Sequence, residues 1–203
     1  MIVVGVTGSF GTGKSTVARL LARRGARVID ADAVAHALMA RGTPVWRRLR
    51  RRFGEAVVRA DGRIDRVALS RVGFASRRAW RDLCRIIHPA VIARVRWQIG
   101  QIRRRAPTAV VVLDVPLLIE SGMASWVDWL VVVTASRRVQ VARLRRRQRW
   151  PVAEIRRRLG WQLPLVDKVR VADVVIDNGG SRRATAVQVQ RLWERVQEET
   201  HHG

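Results

Sequence analysis

The segment Gly8-Ser9-Phe10-Gly11-Thr12-Gly13-Lys14-Ser15 constrains this chain more than any other. Two glycines flank four residues and are followed by Lys-Ser, the spacing of a phosphate-binding loop. Ahead of it, Ile2-Val3-Val4-Gly5-Val6 reads as a buried parallel strand; behind it, the run from Ser15 to Ala22 reads as an amphipathic helix. In that order, the glycines let backbone N–H groups turn inward around a polyphosphate, with the positive end of the helix dipole behind them. Lys14 then reaches the β- and γ-phosphates and the Ser15 hydroxyl can ligate Mg²⁺. The loop thus points to a nucleoside triphosphate without saying what receives the phosphoryl group.

Composition narrows the answer only slightly. A chain of 203 residues, 48% apolar and 28% charged, has room for one main core with insertions and reads as a soluble globular protein. No apolar run reaches the length of a membrane span. The first apolar segment lacks a basic leader and runs straight into the loop, unlike a signal peptide. The lone Cys84 excludes an internal disulfide framework, suits a reducing cytoplasm and reads as a buried apolar residue. The formal charge of +24 suggests polyanion binding, yet 38 of the 40 basic residues are Arg, and the only lysines are Lys14 and Lys168. The arginines spread through every helical segment and form no tail, so they read as a coding bias and a solvated surface, with no specific nucleic-acid partner expected. Keeping Lys at position 14 against that bias fits a role that Arg would not fill.

Four further segments read as strands: Arg27–Asp30, Ala109–Leu113, Trp129–Val133 and Asp173–Ile176. Five short apolar strands alternating with helices predict an α/β fold of the P-loop NTPase type, a parallel sheet with helices on both faces. Ligands of such sheets gather outside the carboxyl ends of the strands. Residues 33–106 offer no strand for the sheet. Thr43-Pro44 starts a helix that Gly54 ends, Ala60-Asp61-Gly62-Arg63 makes a turn, and Ser76 caps a helix expected to stop before His88-Pro89. Pro89 then begins another helix. The expected organisation is a nucleotide-binding core of residues 1–32, 107–136 and 169–203, a helical acceptor-binding insertion of 33–106, and a helical lid of 137–168 opened by Ser136, with a break at Trp150-Pro151. Asn178-Gly179-Gly180 is a turn that Ser181 follows as the cap of the last helix. His201-His202 alone is a weak metal signal.

Several residues after the strands carry chemistry. Asp30-Ala31-Asp32 closes the second strand, where side chains two apart face one side if the segment is extended. A carboxylate there lies beside the loop if the first two strands are neighbours. It can accept the proton of an attacking hydroxyl or orient Mg²⁺ through water; the competing role is helix N-capping, which also suits Asp32. Asp114, after the third strand, stands where a carboxylate touches the Mg²⁺ shell, or else caps its loop. His88 reads as an acceptor contact at a helix break, or as a structural histidine. In the basic run Arg143-Leu144-Arg145-Arg146-Arg147-Gln148-Arg149, most arginines make a charged face, with at least one expected to reach the phosphoryl group.

Taken together, the ordered set resembles the dephospho-coenzyme A kinase family over nearly the whole chain. The resemblance rests on Val6-Thr7-Gly8 leading into the loop, Val28-Ile29-Asp30-Ala31-Asp32, His88-Pro89, Asp114-Val115-Pro116-Leu117-Leu118-Ile119-Glu120, Arg158-Leu159-Gly160-Trp161-Gln162 and Ala172-Asp173-Val174-Val175-Ile176-Asp177-Asn178. It implies ATP-dependent phosphorylation of the ribose 3′-hydroxyl of dephospho-coenzyme A by an enzyme that uses Mg²⁺; beside it stand the expectations of a cytoplasmic location and of a monomer rather than an obligate oligomer. Asp32 is then the base, and Lys14 and Arg147 serve the transferring group, with Arg143 a second lid candidate. Gly8, Gly11, Thr12, Gly13, Lys14, Ser15, Thr16 and Asn178 hold ATP; Thr7, Asp32 and His88 serve the acceptor; Ser15 and Asp114 face the metal. Two departures stand out: Gly8-Ser9-Phe10-Gly11 replaces the family's Gly-Gly-Ile-Gly, leaving Phe10 in need of an apolar shelf, and Arg147-Gln148 replaces Arg-Asp. The alternatives are another small-molecule P-loop kinase and, from a different class, a nucleotide-regulated nucleic-acid-binding protein.

Overall fold

The computed structural model describes residues 1–202, with side chains described through Glu199, so the side chains of His201 and His202 lie outside it. The strands are β1 (Ile2–Thr7), β2 (Arg27–Asp30), β3 (Val110–Asp114), β4 (Trp129–Thr134) and β5 (Val174–Asp177). They form one sheet in the order β2-β3-β1-β4-β5, every pairing parallel. The helices are α1 (Lys14–Ala22), α2 (Ala31–Leu38), α3 (Pro44–Phe53), α4 (Arg66–Gly73), α5 (Arg77–Arg105), α6 (Arg137–Gln148), α7 (Val152–Leu159), α8 (Leu165–Arg170) and α9 (Arg182–His202). The chain divides into two compact units, one of residues 1–30 with 99 onward, the other of residues 31–98.

In the first unit, alternation along each strand sends side chains to both faces of the sheet. Val4, Val6, Val112, Val131, Val133 and Ile176 pack on one face against Val17 and Leu21 of α1 and Val189, Leu192 and Val196 of α9. Val3, Val111, Leu113, Leu130 and Val132 are buried as well, so the three central strands are covered on both sides, as a parallel sheet requires. Burial falls off at the edges of the sheet. Val28 in β2 and Val175 in β5 are exposed, because an edge strand has a neighbour on one side only. At the amino ends, the carboxylates of Asp128 and Asp173 accept from the backbone N–H groups of Val3 and Leu130, both at 2.7 Å.

The second unit has its own core of Val45, Leu49, Val57, Ile64, Leu69 and Leu83. Its boundaries follow local chemistry. Thr43 accepts from the Trp46 N–H at 3.1 Å with Pro44 in the first helical position, and Gly54 leaves α3 with φ +76°. The 60–63 turn brings Val58 and Ile64 together as a single antiparallel bridge, and Trp46 Nε1 donates to the Gly62 carbonyl. Asp65 caps α4 by accepting from Val67 and Ala68; the Ala68 N–H, opposed by partial burial, holds its carboxyl below the usual range.

The expected break at His88-Pro89 does not occur. Helix α5 runs unbroken from Arg77 to Arg105 with Pro89 inside it. Proline removes one N–H from the ladder, at a cost of about 3 kcal/mol in an exposed helix interior. Here apolar packing on both sides of Pro89 outweighs that cost: Leu83, Ile86, Ile87 and Ala90 belong to the second unit's core, and Val91, Val95 and Ile99 are buried at helical spacing.

Cys84 sits on α5, half-buried rather than fully enclosed, and burial pushes its thiol up to about 12. Only about one thiol in ten thousand is then ionised at pH 8, and the thiolate is the reactive form. In the folded protein, alkylation by iodoacetamide at pH 8 should be slower by orders of magnitude than after unfolding in urea, as followed by mass spectrometry. Rapid labelling of the folded chain would contradict this.

Candidate active site

The loop after β1 is shaped by three glycines with positive φ: Gly8 at +147°, Gly11 at +80° and Gly13 at +91°. Each is also crowded. A Cβ on Gly8 would lie 2.4 Å from the Val133 carbonyl oxygen, on Gly11 2.9 Å from the Gln140 carbonyl oxygen, and on Gly13 2.1 Å from Asn178 Nδ2. Ser9 stands between them without a positive φ, so a side chain is tolerated there. Phe10 finds its apolar shelf in the segment expected as a lid: it packs against the cluster of Leu144, Ile155 and Leu159 and meets Trp150 edge to face at 6.4 Å.

The carbonyl groups of the loop are tied back into the protein. Gly8 accepts from Lys14 Nζ at 3.0 Å, and Ser9 from the Thr12 hydroxyl at 2.9 Å. Thr12 accepts from Asn178 Nδ2 at 2.7 Å and from Arg143 Nη1 at 3.1 Å, while Arg143 Nη2 donates to the Asn178 carbonyl at 2.7 Å. Asn178 is held in turn by the Thr185 hydroxyl, which donates to its Oδ1 at 2.9 Å. The first turn of α1 carries no acidic residue, so no internal carboxylate competes for its positive end. Ser15 is exposed there and Thr16 half-exposed. Such a cradle can take the phosphates of a nucleotide, with Lys14 already folded over the loop.

The carboxylates are arranged differently from the sequence expectation. Strand β2 is not beside β1; β3 lies between them. Asp114 therefore occupies the position next to β1, in register with Val6, and Asp30 pairs with Asp114 on its other side. Nor is Asp30-Ala31-Asp32 an extended segment. The strand ends at Asp30 and α2 begins at Ala31, which puts Asp32, exposed, in the first turn of the helix rather than at its cap. A carboxylate in that turn is favoured by the helix dipole.

Thr7, Gly8, Gly11, Thr12, Gly13, Lys14, Ser15, Thr16, Asp114, Arg143, Arg147 and Asn178 all belong to the first unit, and Asp32 and His88 to the second. Thr7 is fully buried and its hydroxyl donates to the Pro116 carbonyl at 3.2 Å. His88 is half-buried within α5. Arg147 is exposed on the last turn of α6; Arg143, one turn earlier, is the arginine that touches the loop. Helix α6, capped by Ser136, ends at Arg149, the only non-glycine with positive φ among the described residues, and α7 follows Pro151.

Sequence reasoning missed three supports of this site. Gln162 accepts from the Phe10 N–H at 2.9 Å through Oε1. Arg158, only 5% exposed, pairs with Glu154 at 2.5 Å and lies 4.1 Å over Trp150, fixing the shelf under Phe10. Lys168 is buried against Glu120. For Lys168 and Gln162 the available signal was chemical type, since a lysine or glutamine stands out in segments filled with arginine; Arg158 and Gln162 also lie in a motif that carries the resemblance.

Replacing Gly13 by Ala should abolish ATP binding while leaving the rest of the fold intact, because the methyl group meets Asn178 and the backbone is strained. Isothermal calorimetry with ATP and Mg²⁺, beside circular dichroism, checks this; a Gly13→Ala protein that binds like the parent would refute the cradle.

Comparison with known proteins identifies the family. A family model described as Dephospho-CoA kinase matches residues 2–183. A dephospho-CoA kinase of Symbiobacterium thermophilum is 47% identical over 193 residues, covering 95% of this chain and 80% of that one. Another, of Geobacter metallireducens, is 42% identical and covers 97% and 98%. A Thermus thermophilus protein of known crystal structure superposes with a TM-score of 0.77 at 33% identity, covering 98% of this chain and 97% of that one. A nucleotide cradle at the end of β1, in a chain matched almost end to end by these relatives, belongs to the dephospho-CoA kinase family.

Proposed function

We propose that this chain transfers the γ-phosphoryl group of ATP to the ribose 3′-hydroxyl of dephospho-coenzyme A, giving coenzyme A and ADP, the last step of coenzyme A formation. The observation that carries the reading is the glycine cradle with tied-back carbonyls, in a chain of this family. Gly8, Gly11, Thr12, Gly13, Lys14, Ser15 and Thr16 surround the phosphates, and Asn178 joins the nucleotide side. Lys14 exchanges the Gly8 carbonyl for phosphate oxygens, a point charge on a flexible stem where an arginine fork does not fit. Arg147 and Arg143 offset charge on the transferring group as residues 137–168 exclude water.

Asp32 accepts the proton of the attacking hydroxyl, or orients it for in-line attack. Residues 33–106 carry the acceptor, with His88 among its contacts and Thr7 at the approach to the loop. Mg²⁺ suits the oxygen donors present: the exposed Ser15 hydroxyl at the start of α1 and the Asp114 carboxylate at the carboxyl end of β3, beside β1. Bound there with ATP, the ion would supply charge neutralisation for the phosphates. The enzyme works in the cytoplasm, which the lone cysteine suits, and as a monomer rather than an obligate oligomer.

An assay of ADP release with dephospho-coenzyme A as acceptor, and adenosine as control, tests the reading. Turnover with the former alone is expected; equal turnover with adenosine would overturn the acceptor assignment. In the same assay Asp32→Asn should lower kcat by about 10²–10⁴-fold, the range for loss of a general base. Its stability should change by less than about 1 kcal/mol, the scale of a first-turn carboxylate. A near-parental kcat would remove Asp32 from the chemistry.

A further inference from the structure

Lys168 is the only lysine besides Lys14 in a chain with 38 arginines, and its side chain is fully buried. An ammonium in such a place is costly unless it is paired and hydrogen-bonded. Its Nζ lies 2.7 Å from Glu120 Oε1 and donates to Oε2 at 3.0 Å and to the Pro116 carbonyl at 3.2 Å. Three donors on a compact head thus converge on a carboxylate and a carbonyl. The planar, larger guanidinium of arginine does not match that space, which accounts for a lysine where nearly every other cation is Arg.

The partners of Lys168 lead to the nucleotide loop. The Pro116 carbonyl has a second donor, the buried Thr7 hydroxyl, and Thr7 is the residue before Gly8. Pro116 also lies two residues beyond Asp114. Glu120 Oε1 accepts from the Leu163 N–H at 3.0 Å, next to Gln162, which holds the Phe10 N–H. One short segment, from Gln162 to Lys168, therefore reaches the loop at its apex through Gln162 and at its base through the shared Pro116 carbonyl.

We propose that Lys168 is a positioning residue for nucleotide binding: its ammonium fixes the Pro116 carbonyl, and through it the base of the phosphate loop and the segment carrying Asp114. The proposal deepens the kinase reading, but its main readout, ATP affinity, needs no acceptor. If the parent fails to phosphorylate dephospho-coenzyme A, the functional reading fails, while ATP affinity still decides the role of Lys168.

The experiment compares the parent with Lys168→Met and with the double variant Lys168→Met/Glu120→Gln, measuring thermal midpoint and the calorimetric Kd for ATP with Mg²⁺. The single variant should lose much of its thermal stability, because Glu120 is left without its counter-ion. The double variant removes both charges while keeping an oxygen for the Leu163 N–H, and should regain most of that stability. A merely structural ion pair would then be fully replaced. A positioning role predicts that the double variant still binds ATP about tenfold or more weakly, the scale of losing a charged hydrogen bond. Thr7→Val removes the other donor to the same carbonyl and leaves the ion pair intact; it should weaken ATP binding in the same direction. Parental ATP affinity in the stable double variant, or in Thr7→Val if the double variant does not fold, would overturn the proposal.

Discussion

A loop that offers N–H groups to an anion must dispose of its carbonyl oxygens elsewhere, and in this protein side chains do that work. The carbonyls of Gly8, Ser9, Gly11 and Thr12 accept from Lys14, Thr12, Arg143 and Asn178. Among the described residues, no hydrogen bond takes the N–H groups of Gly11, Gly13 and Ser15. The polarity of the cradle is thus set before any phosphate arrives. Most of the surrounding structure serves that arrangement: β1 carries the loop in the middle of the sheet, α6 brings Arg143 to it, and the turn after β5 brings Asn178.

The same anchoring links the loop to elements far along the chain. Arg143 and Asn178 both hold Thr12, and Gln162 holds Phe10, so three segments after residue 140 meet on one loop of eight residues. Phe10 makes the coupling apolar as well as polar, since its ring rests on α6 and α7 through Leu144, Ile155 and Leu159. Trp150 faces the Phe10 ring edge to face.

The loop, its glycines and the parallel sheet were legible because each is a local pattern: a fixed spacing, runs of valine, and caps such as Thr43, Ser136 and Ser181, all of which the structure reproduces. Strand neighbours were not legible. Nothing in the composition of β2 says that β3 inserts between it and β1, so the carboxylate at the end of the strand beside β1 is Asp114 rather than Asp30. Pro89 misled for a related reason, since local propensity predicts a break and long-range packing of α5 prevents it. Gln162 and Lys168 were invisible as site supports because their partners, Phe10 and Glu120, are distant in sequence.

The central claim is that this cradle delivers a phosphoryl group to one hydroxyl. Phosphorus NMR of the product formed from ATP, Mg²⁺ and dephospho-coenzyme A tests it most directly. The account predicts a new phosphomonoester resonance assigned to the ribose 3′-oxygen, growing in step with ADP. ADP accompanied only by inorganic phosphate, or a monoester on another oxygen, would contradict it.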